Sequence, residues 1–397
     1  MERVIFTDGT EIAVLDEKGL RKTESERIRR MKEYAETRKR SAEWKYGGEG
    51  ALFRGDFDRS LSDSTAAYVN AVQACGDEVF YSFSTDGMSG VYRKNLTDEK
   101  QPEAHVFTSS ELQILSMHLD AKGGRLAVTV CRDGVTSQIG LIDCRTSELK
   151  TLTEGDTRDA HPCFSVTRAG YILFDSAGAG RNYQGEFTGK YAPSRIYRVN
   201  TEGTEIEEVA FDQTRSLIRP KESADGTLYC IRRPSEEKSG GNAFTEILLI
   251  PVRLVQAIAL FLQSFVRRFT GKSLVSGGDN PVKGRETDSR KLYVDGNLIQ
   301  VEKELRRNRR FKDQEYGFIP RSWELVRRDG EKWTVIARGV CDYSFGEDGT
   351  LYYTDGKHVF SLKDGKKRKA ADADLCLCVC AESGKSVPCG EDSPFEL

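Results

Sequence analysis

The chain has 397 residues, 38% of them hydrophobic, with 62 acidic against 60 basic side chains and a formal charge of −2. That length admits two or three ordinary domains or one large array of repeats, and the balanced charge excludes a global pull toward nucleic acid or an acidic membrane. Thirty-seven glycines against ten prolines, with Val, Tyr, Phe and Thr in short runs, point to strands joined by tight turns.

The opening, "MERVIFTDGTEI", carries acids early and no long apolar core before a small-residue cleavage site, so no secretory signal is read there. The ten cysteines have no disulfide-module spacing and fall mostly in apolar runs. They are expected to be free thiols, and the expected setting is the cytoplasm. "RVIFTDG" and "TEIAVLDEKG" read as two strands. Residues 25–45 then read as a helix, with Ile28, Met31, Ala35 and Ala42 at helical spacing. It is expected to cover a mouth or side of whatever the strands build, or alternatively to bind a partner.

From residue 65 a unit recurs. Apolar strands follow Gly-containing turns at Val79, Leu126, Tyr171, Leu228 and Leu351, spaced by 47, 45 and 57 residues and then by 123. A period of about 40–50 residues is that of a four-stranded propeller blade. The units cover about 65–108, 111–153, 160–210, 215–337 and 339–371. Within residues 111–153 the order is "LQILSMHLD", "RLAVTVCRDG", "QIGLIDCR" and a polar "ELKTLT", each bounded by residues that suit hairpin turns.

In the 160–210 unit, "DTRDAHPCFSVTRAGYILFDSAG…SRIYRVN" resembles the blade of TolB-like, WD40-like propellers: His161-Pro162 before an aromatic-Ser step, a turn, a buried strand and a short "IYRVN" strand. The WD dipeptide is absent, and the usual "SPDG" turn stands here as "SVTRAG" or "SADG". The resemblance implies a propeller that serves as an interaction scaffold. It does not carry over a periplasmic setting. His161 itself is expected to be a structural donor to a neighbouring turn in preference to a metal ligand, because His105, His118, His161 and His358 are scattered singly. No GxSxG elbow with a hydrolase domain is present. "SAGAGRNYQGEFTGKY", residues 176–191, lacks phosphate-loop spacing and reads as a long loop over one mouth, where Arg181, Tyr183 and Tyr191 would meet a ligand.

The 123-residue interval places an insertion, about 234–320, between the second and third strands of one blade. "FTEILLIPVRLVQAIALFLQSFVRRFTGKSL" is long enough to span a bilayer, but Pro251, Arg253, Gln256 and Gln263 make it an amphipathic helix. Leu254, Val255, Ile258, Phe261, Leu262, Phe265 and Phe269 supply the apolar side, flanked by Arg267 and Arg268. Burying such a face releases roughly 10–20 kcal/mol of gross driving force. Its cover is the propeller rim or the insertion itself, a protein partner, or a membrane surface. Asn297–Asp313 reads as a second helix, ending in "RRNRR" as a solvated basic terminus; no nucleic acid is expected, since few aromatics are interleaved to stack bases.

The carboxy end adds "DLCLCVCAESG", a first strand without a sheet of its own, whereas the amino end supplies second and third strands without a first. One blade, from 1–24 and 372–397, is therefore expected to close a ring, with Val4 near Cys378. Cys376, Cys378 and Cys380 would line one strand face about 6–7 Å apart, which suits a buried strand better than a zinc ion. The expectation is an all-β, six-bladed propeller, with seven blades as the alternative, a mostly helical insertion and an amino-terminal helix. Its expected role is a non-catalytic protein-interaction scaffold without cofactor or metal. The alternatives are a membrane-peripheral adaptor acting through residues 244–270 and a calcium-dependent lactonase-type hydrolase using the central channel.

Overall fold

The computed structural model describes residues 2–31, 33, 34, 37, 68–85, 88–98, 101–120, 124–235, 291–295, 297–311 and 316–382. Over these residues the chain is all-β with little helix, and its small sheets take a propeller-like arrangement. Four antiparallel sheets have four strands each: 379–381, 4–8, 11–16 and 19–24; 68–75, 78–84, 89–95 and 104–109; 215–222, 228–234, 324–329 and 332–338; and 342–345, 351–354, 358–363 and 366–372. A nine-stranded sheet covers 113–210, and a two-stranded hairpin covers 291–300. The strands Glu78–Ser84, Arg125–Cys131, Tyr171–Arg181, Leu228–Pro234 and Leu351–Thr354 contain or begin at the five repeat positions read in the sequence.

Their burial follows from stacking. Val79–Ser84 and Leu126–Cys131 are buried at every residue, on both faces, because each sheet has a neighbour on either side. The outermost strands, Gly19–Glu24, Lys332–Arg338 and Lys366–Asp372, are polar and largely exposed. Their lysines and arginines discourage another chain from pairing with the free edge. Cores lie between sheets and run from one to the next around the molecule. Ile5, Phe80 and Leu126 share one cluster, Leu141 and Phe174 another, Leu173 and Val326 a third, Leu325 and Tyr353 a fourth, and Val359 and Phe6 a fifth.

The two ends of the chain share a sheet: Val4 pairs with Ala381, Ile5 with Cys380 and Phe6 with Val379. The Thr7 amide donates to the Cys378 carbonyl at 3.0 Å. The regular strand begins only at Val379, so the cysteine run is not a single face. Cys376 packs with Val4 and Phe6, while Cys378 and Cys380 pack on the other side with Val72 and Ile5. None of the nine cysteines among the described residues is in a disulfide, and burial raises the pKa values of the three thiols in this run.

The amino-terminal helix is described at 26–31, 33, 34 and 37. Ser25 caps it by accepting the Ile28 amide at 3.1 Å, the hydrogen bond that N-cap serines supply. The Glu103 carboxylate accepts the amides of Glu26 and Arg27 at 2.9 and 3.2 Å. Ile28 is buried and Met31 packs beside it, so the helix lies against the sheet of strands 68–109.

The insertion leaves after Pro234 and returns to the same sheet at Glu324, since strands 228–234 and 324–329 pair. The expected helix over 297–313 is shorter: Asn297–Gln300 is a strand paired with Lys291–Val294, and the helix runs Val301–Asn308. Leu292, Val294 and Ile299 join Ile218, Ile231, Trp323 and Leu325 in one core, with Val301 and Leu305 against it. The exposed arginines 306, 307, 309 and 310 form the solvated helix end read in the sequence. The amphipathic segment 244–270, with Leu254, Val255, Ile258, Phe261, Leu262, Phe265, Arg267, Arg268 and Phe269, lies outside the described residues. Among the described residues no helix is long and apolar enough to cross a membrane.

Candidate functional site

The first strand of each sheet approaches the first strand of the next. Strand 68–75 meets 113–120, which meets 157–164, which meets 215–222; 342–345 meets 379–381, which returns to 68–75. An ion pair between Arg219 and Asp342 at 3.1 Å joins the remaining two. These strands surround a common interior, and their polar residues converge there.

Local chain geometry aims them inward. Strand 157–164 has a bulge between Ala160 and Cys163, and strand 215–222 has one between Ile218 and Lys221. His161 and Arg219 stand at these bulges with φ of +51° and +54°, and each precedes a proline. Proline has no N–H to give to a ladder, so a bulge, where pairing is interrupted, accommodates it. The positive φ is costly for residues with a Cβ and turns their side chains out of the alternation. Asp295, in the turn of the insertion hairpin, also has positive φ, +47°.

The three residues form one buried assembly. His161 Nδ1 lies 2.7 Å from Asp175 Oδ1, and Nε2 lies 3.0 Å from Asp295 Oδ1. Arg219 reaches Asp295 through Nε at 2.9 Å and Nη2 at 3.1 Å, a bidentate pair. Its amide donates to Asp175 at 2.9 Å. On the far side Asp342 pairs with Arg219 and, at 3.4 Å, with Lys221; Lys221 also donates to the Tyr343 carbonyl. Tyr343 is fully buried and donates its hydroxyl to the Arg219 carbonyl at 2.8 Å. Finally, Arg233 donates to the Asp295 carbonyl at 2.6 Å.

Charge and burial compete at each member. Burial would raise the Asp295 carboxyl, but Arg219 and His161 outweigh it and hold the group well below the usual carboxylate range. Asp342 is lowered in the same way, burial being overcome by Lys221 and Arg219. Burial works against a charged His161, yet Asp175 and Asp295 prevail and raise its pKa. With a carboxylate at each ring nitrogen, the surroundings favour the protonated ring, in which both nitrogens donate. His118 differs: burial, with Lys221 adding to it, pushes it down to about 4, and its Nδ1 accepts the Phe164 amide at 3.4 Å.

His161, expected as a structural donor to a neighbouring turn, is held in the interior, and its second partner, Asp295, stands in the turn of the insertion hairpin. The 176–191 stretch is not a loop. Strand Tyr171–Arg181 runs out to pair with Phe187–Tyr191, placing Ala179 opposite Tyr191. Arg181 pairs with Asp156, Tyr183 is 96% exposed at the tip, and Tyr191 donates to the Val135 carbonyl at 2.6 Å. The three residues expected at one ligand site therefore stand apart along the hairpin. Asp175, Arg219, Asp295 and Asp342 were not singled out in the sequence. A usable signal was the recurrence of an X-Pro step, His161-Pro162 and Arg219-Pro220, in first strands of successive units. Among the described residues no three His, Cys, Asp or Glu side chains converge as a metal set.

No family model matches the chain. No curated protein matches it either. Solved structures similar to it include TolB from Acinetobacter baumannii, 11% identical over 96% of this chain and 67% of that one, with a TM-score of 0.49. The tricorn protease is 13% identical over 96% of this chain and 36% of its own, with a TM-score of 0.43. An oligogalacturonate lyase in complex with manganese is 15% identical over 41% and 45%, with a TM-score of 0.31. The propeller-like architecture stands on the chain's own sheets and cores.

Proposed function

We propose that the chain is a non-catalytic protein-interaction scaffold built on a TolB-like propeller of six blades, acting in the cytoplasm. In support of this count, the nine-stranded sheet has one parallel pair, Ser137 with Arg158, and dividing it there gives 113–151 and 157–210. That none of the nine described cysteines is in a disulfide suits a reducing compartment.

One observation carries the functional reading: the turn of the insertion hairpin is seated in the interior, with Asp295 bound by His161, Arg219 and, through its carbonyl, Arg233. The carboxylates Asp175, Asp295 and Asp342, which a calcium-dependent hydrolase would turn toward an ion, are engaged by the protein's own cations. The same seat fixes the hairpin 291–300, the foot of the insertion to which residues 236–290 belong in sequence. A protein partner taken by that segment is the expected interaction.

The test follows from the core. Leu292, Val294 and Ile299 are buried, so the replacement must spare residues from 291 onward. Exchanging 236–290 for a short Gly/Ser linker should leave the melting temperature within a few degrees and abolish capture of a specific partner. Identical captured proteins with and without the segment would overturn its role. Lactone turnover by the purified chain in calcium would overturn the non-catalytic reading, and flotation with liposomes that needs 236–290 would replace the protein partner by a membrane.

A further inference from the structure

The end of the helix Val301–Asn308 carries a surface that the interior assembly does not use. Placing residues about 100° apart around the helix axis sets Val301, Glu304, Leu305 and Asn308 on one side. Glu304 and Asn308 are buried there, and Val301 and Leu305 pack on the core beneath. Arg306, Arg307, Arg309 and Arg310 fall on the opposite side and are exposed; the backbone is still helical at Arg309. Asn308 fixes this end by donating to the Gly317 and Ile319 carbonyls at 2.8 and 3.1 Å. The four cations therefore stand on a rigid element.

Their charge exceeds what the helix needs. One or two cations in the last turn serve the negative pole of a helix. Among the described residues the ion pairs of this run are long, Arg306 with Glu302 at 3.7 Å and Arg307 with Glu304 at 3.8 Å, and Arg309 and Arg310 take part in none. An aromatic platform adjoins them. Phe311 follows directly and stays 42% exposed, with Tyr316 edge-on to it at 6.3 Å. The Arg321 guanidinium lies 3.6 Å from the Phe311 centroid and 4.7 Å from that of Tyr316, and so holds the rings in place. Lys367, from the outer strand 366–372, stands 5.4 Å from Tyr316. In chain order the basic run has few aromatics interleaved; the fold adds Tyr316, Arg321 and Lys367 from beyond it.

Unpaired cations that can follow a phosphate backbone, beside an exposed ring on which a base can stack, are the two parts of a single-strand nucleic-acid surface. A duplex would use the charge and leave the ring idle. We propose that this helix end binds single-stranded RNA, with Arg306, Arg307, Arg309 and Arg310 neutralising phosphates and Phe311 stacking a base. The surface does not depend on the scaffold reading. Only the choice of RNA over DNA rests on the cytoplasmic setting proposed above.

Fluorescence anisotropy of a labelled fifteen-nucleotide oligouridylate, titrated with the full chain over a range of salt, tests it. Binding should saturate, and the logarithm of the affinity should fall against that of salt with a slope of about −3 for four phosphates. The double variant Arg309→Ala, Arg310→Ala should bind more weakly and make that slope shallower by about 1.4. Phe311→Leu should weaken binding about ten-fold and leave the slope alone, since stacking releases no counterions. If Phe311→Leu does not fold, the arginine variant, which breaks no ion pair among the described residues, carries the test through its slope. A fifteen-residue polyglutamate bound as tightly as the RNA would replace the nucleic acid by an acidic protein segment, and tighter binding of the matching oligothymidylate would overturn the choice of RNA. Absence of saturable binding at low salt, an unchanged slope in the arginine variant, or unchanged affinity in folded Phe311→Leu overturns the proposal.

Discussion

Asp295 is the residue on which the interior assembly turns, because it is the acceptor shared by His161 and Arg219. Removing one partner of a buried ionic group is far more costly than never having built it, since the remaining charges cannot rehydrate. Asp295→Asn keeps the size and deletes the charge, and is expected to cost about 3 kcal/mol. Urea unfolding measures this; a loss of only a few tenths, the worth of an exposed pair, would place the cluster in effectively aqueous surroundings. The histidines make a second prediction. His118 is pushed down to about 4, so the unfolded chain takes up a proton first, and stability falls as pH drops from about 6.5 toward 4. His161 is raised, so its contribution is full below about 6.5 and is lost as pH climbs through the folded value. His118→Asn offers an amide oxygen to the Phe164 amide without a titrating ring. It should flatten the acid limb of melting temperature against pH and leave the alkaline limb alone; an unchanged acid limb would refute the assignment.

At the scale of elements, the amino-terminal helix is held by a carboxylate from another sheet. Glu103 accepts two first-turn amides and the Tyr81 hydroxyl, and pairs with Lys94 at 3.3 Å. A negative group at a helix amino terminus satisfies unpaired N–H groups and opposes the helix dipole favourably. Glu103→Ala is expected to cost about 1–2 kcal/mol. The damage should be local: peptides covering 25–31 should exchange amide hydrogens faster, while strands 78–84 and 125–131 keep their protection. Uniformly faster exchange would mean that the helix is part of the global core. How such elements could be read in advance varies. Second strands were legible because stacking makes them continuously apolar and turns punctuate them with glycine. The insertion foot was misread because "NLIQVEKEL" has helical composition, although "LYVDGNLIQV" carries an Asp-Gly step between apolar residues, the signal of a hairpin. The interior cluster was least legible. Its members lie 14 to 181 residues from His161 in the chain, at Asp175 and Asp342 among others, and only closure of the fold brings them together.

For the molecule as a whole, the decisive contact is the one between its two ends. Strand 379–381 lies against 4–8, and the Glu382 amide donates to the Arg3 carbonyl at 3.0 Å. Residues from both ends also share cores: Cys378 and Cys380 with Ile5, and Val379 with Val4 and Phe6. A sheet assembled from distant segments forms late, because the loop that it closes is nearly the full chain; once formed, it leaves Val4–Asp8 without an open edge. If this closure determines stability, the order of the segments around the ring should matter less than their adjacency. A permutant joining residue 382 to residue 3 through a short linker, and opened between Tyr183 and Gln184 at the exposed hairpin tip, should therefore fold. Cutting there breaks no pairing between Tyr171–Ser176 and Arg195–Asn200, and exposed tips are where chains tolerate new ends. The permutant is expected to melt cooperatively within several degrees of the parent, followed by far-ultraviolet circular dichroism. A parent lacking 376–397 should instead lose cooperativity and aggregate, having bared the first strand of the closing sheet. A permutant that fails to fold while that truncated chain stays monomeric and cooperative would show that the ends merely touch and that the ring is held elsewhere.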